Sequence, residues 1–193
     1  MAQSTAEAFA GARNHIGPLD QKLAIYQSAL EQLAPALAQS YAQQVQRLIA
    51  GEVGTLAPAI GRSMPDFLLP ADSGALVHSQ ELFARGPTVV SLNRGHWCSF
   101  CRLEVESLAS LCEEVQAVGG TIISITPESA ALNRQLREIA RPPLMFLSDL
   151  DNAYALQLGL AMRVSDEVRE QLLAVAVDLA AQPVLDALAH HRP

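Results

Sequence analysis

Between Pro18 and Ala50, apolar residues recur three and four positions apart, which predicts two helices. Leu19, Leu23, Tyr26, Leu30 and Leu33 make one stripe. Pro35 restarts the pattern, and Leu37, Tyr41, Val45, Leu48 and Ile49 make another that ends at Gly51. Gly51–Arg62 reads as a linker. Phe67-Leu68-Leu69 and Leu76-Val77, separated by turn residues, predict a β-hairpin, and Ser79–Ala84 predicts a helical turn closed by Gly86-Pro87. The period then changes. Thr88–Leu92 and Thr121–Ile125 are β-branched runs, apolar on both faces, as buried parallel strands are. Between them a helix is expected from Cys98 to Val118, with Leu103, Leu108, Leu111, Val115 and Val118 inward and Gly119-Gly120 as its stop. Strand, helix, strand at this spacing is a right-handed βαβ unit. A helix over Ser129–Ala140, a break at Pro142-Pro143, a strand over Leu144–Leu147 and helices over Asp151–Leu158 and Asp166–Leu188, the last interrupted at Pro183, complete the prediction. The organisation expected is a helical arm and linker over 1–60 and an α/β domain over 61–193.

The chain has 193 residues, 50% hydrophobic and 17% charged, too apolar for a disordered chain and long enough for a full core. Its net charge of −7, with no basic stripe, argues against nucleic acid and anionic membranes as partners. No apolar run approaches the roughly 20 residues of a membrane helix, and Met1–Ile16 lacks the apolar core of a signal peptide. A cytoplasmic location is expected.

Three cysteines, Cys98, Cys101 and Cys112, are too few for a disulfide framework. Two stand three apart where the first core strand meets its helix, in Asn93-Arg94-Gly95-His96-Trp97-Cys98-Ser99-Phe100-Cys101-Arg102. The first amides of a helix point outward without partners, and its dipole favours negative charge, so a thiolate there is stabilised. Arg94 and Arg102 add positive charge. Cys98 and Cys101 are about one turn apart, within disulfide reach once the turn relaxes. The pattern fits a redox dithiol. A zinc site would need four ligands, and no second CxxC or HxxxH pair exists; no metal is expected. Cys112, eleven residues past Cys101, would lie about 16 Å further along an intact helix, too far to be its disulfide partner.

These segments resemble the alkyl hydroperoxide reductase/thiol-specific antioxidant (AhpC/TSA) family, in its peroxiredoxin-like branch with a thioredoxin-type CxxC. The resemblance runs from Met64 to about Asp178. It rests on Met64-Pro65-Asp66-Phe67-Leu68-Leu69-Pro70 with Gly74, on Arg94-Gly95-His96-Trp97-Cys98-Ser99-Phe100-Cys101, and on Phe146-Leu147-Ser148-Asp149 with Ala155 and Leu158-Gly159-Leu160. It implies a thioredoxin-like fold and thiol-dependent peroxide reduction, with recycling by thioredoxin or a similar dithiol donor and no prosthetic group. Cys98, Cys101 and Arg94 become the catalytic candidates. Trp97 and His96 become candidates for contact with substrate or partner.

Two features depart from the family. Peroxiredoxins carry Thr-x-x-Cys; aligned on it, Cys98 takes the Thr position and Cys101 the peroxidatic slot, whereas thioredoxin logic makes Cys98 the nucleophile. Both cysteines therefore stay catalytic candidates. Second, Asp178-Leu179-Ala180-Ala181-Gln182 runs directly into Pro183–Leu188, where the family has a β-hairpin before its last helix. Thr88–Leu92 then becomes an apolar edge to be covered by the Phe67–Val77 hairpin, the Pro18–Ala50 arm or a second subunit, and a symmetric homodimer is expected. Three functions follow: a peroxidase, a general thiol–disulfide oxidoreductase, or a non-catalytic remnant that binds a partner.

Overall fold

The structure is a computed structural model that describes residues 4–140 and 144–175. In chain order the elements are α1 (Thr5–Asn14), α2 (Leu19–Leu33), α3 (Pro35–Ala50), β1 (Leu68–Pro70), β2 (Leu76–His78), α4 (Ser79–Arg85), β3 (Thr88–Leu92), α5 (Ser99–Ser110), α6 (Cys112–Ala117), β4 (Thr121–Thr126), α7 (Ala130–Ala140), β5 (Met145–Ser148), α8 (Ala153–Gln157) and α9 (Asp166–Ala174). The described residues form two compact units, one of 4–53 with 162–175, the other of 54–140 with 144–161.

The first unit is helical. α2 and α3 follow the predicted stripes, with Pro35 opening α3 at a position where a missing N–H leaves no helical bond unmade. α1 is an addition to the sequence reading. Ser4 and Glu7 form its capping box: Ser4 Oγ accepts from the Glu7 amide at 3.2 Å, and Glu7 Oε2 accepts from the Ser4 amide at 2.7 Å. Phe9 packs edge-on against Tyr26, ring centroids 5.7 Å apart. Gln44 joins α3 to the start of α9, donating to the Arg163 carbonyl at 2.7 Å and accepting from the Ser165 amide at 2.8 Å.

The second unit holds a parallel sheet in the order β3-β4-β5. Side chains alternate across it, as strand geometry requires. Ile123, Ile125 and Leu147 enter one core with Phe67, Leu82, Tyr154 and Leu158; Ile122 and Phe146 enter the other with Val105, Cys112, Leu136 and Leu144. β4 is thus covered on both faces, which explains why it carries no charged residue and why its Ser124 and Thr126 hydroxyls are buried.

One expectation is corrected, and one of the three alternatives for covering Thr88–Leu92 is removed. The helix predicted over Cys98–Val118 breaks at Leu111 and restarts at Cys112. Leu111 and Val118 are exposed, and Val105, outside the predicted stripe, is fully buried. Leu111 is the residue at the break and Val118 lies beyond the end of α6, whereas Leu108 and Val115 of the predicted stripe pack against the core. The antiparallel β1–β2 hairpin forms as predicted, but it sits beside β5, not β3: Ala71 bridges Leu147, and the Asp72 amide donates to the Phe146 carbonyl at 3.0 Å. It therefore does not cover Thr88–Leu92. Among the described residues β3 pairs on one side only. The Asp178–Leu188 segment, where the family hairpin is missing from the sequence, lies outside the described residues, as do Pro142-Pro143 and the helix predicted beyond Val175.

Candidate active site

β3 and β4 end side by side, and the loop that leaves β3 is tied down at once. The Asn93 amide donates to the Ile125 carbonyl at 2.8 Å. The buried Asn93 side chain donates to Ser91 Oγ at 2.8 Å and Ser124 Oγ at 2.9 Å, and Ser91 Oγ donates to Glu104 Oε1 at 2.7 Å. This buried polar network joins β3, β4 and α5 beneath the loop. Both Asn93 amide hydrogens are used here, which fixes the side chain, because a turned amide would leave a buried donor unmet; its Oδ1 is buried and has no partner among the described residues.

The loop delivers Cys98 to the N-cap of α5. Its sulfur accepts from the Cys101 amide at 3.3 Å, the capping bond that a Ser or Thr hydroxyl would otherwise accept. Arg94 Nη2 donates to the same sulfur at 3.0 Å, and the Arg94 amide donates to Cys101 Sγ at 3.4 Å. The Arg94 guanidinium also lies over the Trp97 ring, 5.4 Å from its centroid. Cys98, Cys101, Arg94 and Trp97 are therefore brought together. Both thiols are free and buried, Cys98 at 2% exposure.

The two sulfurs are driven apart in acidity. Burial alone pushes the Cys98 thiol up. The hydrogen bond from the Cys101 thiol, the Arg94 charge, the Cys101 amide and the Arg94 hydrogen bond together outweigh it, and the pKa falls from 9.0 to about 6. Cys101 moves strongly upward, because its proton is held in the bond to Cys98, burial disfavours its charge, and the Cys98 thiolate repels a second anion. At neutral pH the pair is one thiolate and one thiol, with the charge on Cys98. Cys112 begins α6, donates to the Leu108 carbonyl at 3.6 Å, and is pushed up by burial. It is a core thiol.

His96 turns elsewhere. Its Nδ1 lies 2.7 Å from Glu128 Oε1, and its amide donates to Glu128 Oε2 at 2.8 Å. Glu128 is 2% exposed. The sequence reading passed over it, since a single acid 32 positions from His96 carries no local pattern; its place just beyond a core strand, at the edge where β3 also ends, was the available signal. The Asn93–Ser124 bond was missed for the same reason; Ser91 and Glu104 were missed because a lone Ser in a strand and a lone Glu in a helix carry no chemical pattern. Among the described residues no cluster of three His, Cys, Asp or Glu side chains could hold a metal ion.

Removing the Arg94 charge should raise the Cys98 pKa by about 1–3 units. A more basic thiolate is also a better nucleophile, so the loss at neutral pH is largely offset. The difference shows at low pH, where Arg94→Met should slow alkylation of Cys98 about tenfold at pH 5.5 for a two-unit rise. An unchanged pH–rate profile would show that the contact does not stabilise the thiolate.

Comparison with known proteins places this chain in a family. Over 100 residues the chain is 31% identical to the thiol:disulfide interchange protein DsbE of Pseudomonas aeruginosa, an alignment covering 52% of this chain and 54% of that protein. The chain thus spans about half the length of the curated relative it matches. Among solved structures it is similar to peroxidoxin BcpB of Mycobacterium tuberculosis, at 24% identity and a TM-score of 0.49, covering 51% of this chain and 64% of that one. It is also similar to AhpC of Mycobacterium tuberculosis, at 18% identity and a TM-score of 0.44, covering 53% and 68%. The AhpC/TSA family model matches residues 60–175, more than half of the chain. With its α/β, thioredoxin-like fold, this chain belongs to the AhpC/TSA family.

Proposed function

We propose that this thiol oxidoreductase reduces peroxides, with Cys98 as the attacking thiolate and Cys101 as the resolving thiol. The observation that carries this reading is the setting of the Cys98 sulfur: the residue is 2% exposed, the Arg94 guanidinium lies 3.0 Å from Sγ and the Cys101 amide 3.3 Å, an arrangement that favours the thiolate. A sulfur so enclosed suits a small oxidant better than the disulfide of a folded protein. The thiolate attacks one oxygen of HO–OH, or of an organic hydroperoxide. The O–O bond breaks, Cys98 becomes a sulfenic acid, and hydroxide or alkoxide leaves and takes a proton. The Arg94 guanidinium polarises the peroxide as charge moves onto the leaving oxygen. Cys101 then attacks Cys98 Sγ, displaces water and closes the disulfide. A dithiol donor of the thioredoxin type reduces it, itself ending as a disulfide. Trp97 is proposed to meet the donor or substrate, no cofactor takes part, and a reducing compartment, the cytoplasm, keeps the pair as a dithiol.

A second reading is general thiol–disulfide exchange. It is favoured by the relative whose name is thiol:disulfide interchange protein, and by the low-pKa sulfur standing first in the CxxC, as in thioredoxins. One experiment separates the two. Purified protein is given hydrogen peroxide with thioredoxin, its reductase and NADPH, and separately given insulin with a dithiol. Peroxide-dependent NADPH oxidation above a Cys98→Ser control supports the peroxidase. Insulin reduction without it supports exchange, and failure in both supports a partner-binding remnant.

We also propose a homodimer. Val89 is 42% exposed, and Thr88–Leu92 carries no Lys or Pro to blunt an edge. A second copy pairing along β3 would satisfy its outward N–H and C=O groups. Light scattering at micromolar concentration should give twice the 20.7 kDa chain mass. A monomer with a cooperative melt would overturn this proposal.

A further inference from the structure

We propose that Glu128 and His96 form a clamp that holds the 93–98 loop in the shape in which the Arg94 guanidinium and the Cys101 amide both reach Cys98 Sγ. This rests on Cys98 as the attacking thiol. It adds a positioning residue, Glu128, from a different strand–helix connection.

Three observations carry it. First, one buried carboxylate binds the loop twice, through the main chain and through the ring. Oε2 accepts from the His96 amide at 2.8 Å, and Oε1 lies 2.7 Å from Nδ1. Glu128 is 2% exposed, so each bond replaces one that water would otherwise make, and losing it leaves a buried acceptor unmet. Second, the backbone is shaped to admit that carboxylate. Gly95 adopts φ +125°, a conformation that side chains rarely take, and a Cβ there would collide with the Glu128 carboxyl group. The contact therefore constrains residue 95 as well as residue 96. Third, the clamp is anchored independently of α5. The Glu128 amide donates to Thr126 Oγ1 at 3.2 Å, and Thr126 Oγ1 donates to Asn133 Oδ1 at 2.6 Å. The Asn133 side chain donates in turn to Ser148 Oγ at 3.0 Å. The loop is thus held at Asn93 by β4, at His96 by Glu128 and at Cys98 by α5.

Between the last two anchors the chain has little freedom. The Cys98 amide donates to the Gly95 carbonyl at 3.1 Å, so displacement of residues 95 and 96 moves Cys98 or breaks that bond. Arg94 is the next residue on the other side, and both of its contacts with the sulfurs depend on where its backbone points. Glu128 thus acts through the loop and touches neither sulfur.

The test reads the Cys98 thiol directly, with no peroxide present. Alkylation of the reduced full-length protein by iodoacetamide is followed across pH, and the modified cysteine is located by mass spectrometry. Glu128→Ala removes both bonds and should raise the Cys98 midpoint by at least about one unit, a tenfold smaller thiolate-to-thiol ratio well below the midpoint. The same variant should shift the dithiol–disulfide equilibrium with glutathione toward the disulfide, because its reduced form has lost stabilisation. Glu128→Gln is the conservative rescue. Its amide oxygen accepts from the His96 amide, and its NH2 donates to Nδ1 of the other imidazole tautomer, so the midpoint should stay within about half a unit of wild type. Gly95→Ala should reproduce the Glu128→Ala shift from the other side of the contact.

An Ala variant that melts lower but keeps the wild-type midpoint would make Glu128 a merely structural residue and overturn the clamp. A Gln variant whose midpoint moves by a unit or more would also overturn it, because charge would then matter more than hydrogen-bond geometry. Should Glu128→Ala fail to fold, Glu128→Gln and His96→Ala decide: the clamp requires the first to stay near wild type and the second to rise. Failure of peroxide reduction leaves these readouts intact. A wild-type midpoint near that of an ordinary thiol would instead refute the assignment of Cys98.

Discussion

Cys98→Ser should abolish peroxide consumption, whereas Cys101→Ser should consume one equivalent per chain and stop. The two outcomes differ because the cysteines do different work. A serine hydroxyl at 98 stays protonated at neutral pH and offers no nucleophile, so the loss should be at least about a thousandfold, the scale on which removing a covalent nucleophile acts. With serine at 101 the Cys98 thiolate still has the Arg94 guanidinium and the helix N-terminus. It should attack once, form a sulfenic acid and wait without a resolving thiol. Dimedone labelling with mass spectrometry would locate that sulfenic acid on Cys98. Cys112→Ser should stay within about twofold of wild type, because that thiol is a core group at the start of α6.

The same series assigns the nucleophile. Family alignment through Thr-x-x-Cys places Cys101 in the peroxidatic slot. The structure lowers the Cys98 pKa to about 6 and raises that of Cys101. If Cys101 attacked, the pattern would invert: Cys98→Ser would give the single equivalent and Cys101→Ser would give nothing. Full activity in the double variant would remove both from the site.

The strands of this domain were legible because β-branched runs bounded by glycine, such as Thr121–Ile125, have few other uses. The chemistry was legible where it is local: Arg94 and Cys98 lie four residues apart on one loop, and in the structure they touch. The order of the two thiol acidities was not legible, since it depends on which sulfur accepts the Cys101 amide and which donates to the other. Glu128 was hidden because its partner lies on another strand–helix connection. Helix α1 was readable and overlooked: Ser4 and Glu7 stand at capping-box spacing, but the Phe9 stripe is too short to announce a helix. The break at Leu111 has no Gly or Pro to mark it. An apolar stripe drawn across such a break assigns Leu111 and Val118 to a face that the chain turns outward.

The reduced protein should become more stable as pH rises from 6 to about 9, and less stable above that. Cys98 titrates near 6 when folded and near 9.0 as an ordinary thiol. Between those values the unfolded chain binds a proton that the folded chain has released, so stability rises with pH. The contribution is complete above about 9 and is lost as pH falls through 6. Three units correspond to roughly 4 kcal/mol at most, or very roughly 8–16 °C in Tm for a chain of this size. Cys101 acts with the opposite sign. Its folded pKa lies above its ordinary value, so its contribution is present below about 9, and above it the unfolded chain ionises a thiol that the folded chain keeps protonated. Burial gives Cys112 the same sign. The curve should therefore turn over near pH 9. Carboxylates and histidines titrate across part of the range too, so the measurement is a difference: Tm of the reduced wild type minus that of Cys98→Ser, at matched ionic strength. That difference should climb steadily from pH 6 and flatten near 9. The disulfide form, which has no thiolate, should lack the climb, and the Cys98–Cys101 couple should grow easier to reduce relative to an ordinary thiol couple as pH rises. A difference curve flat from pH 6 to 9 would mean that the fold does not hold Cys98 as a thiolate, and the reading of the site as a poised nucleophile would fall with it.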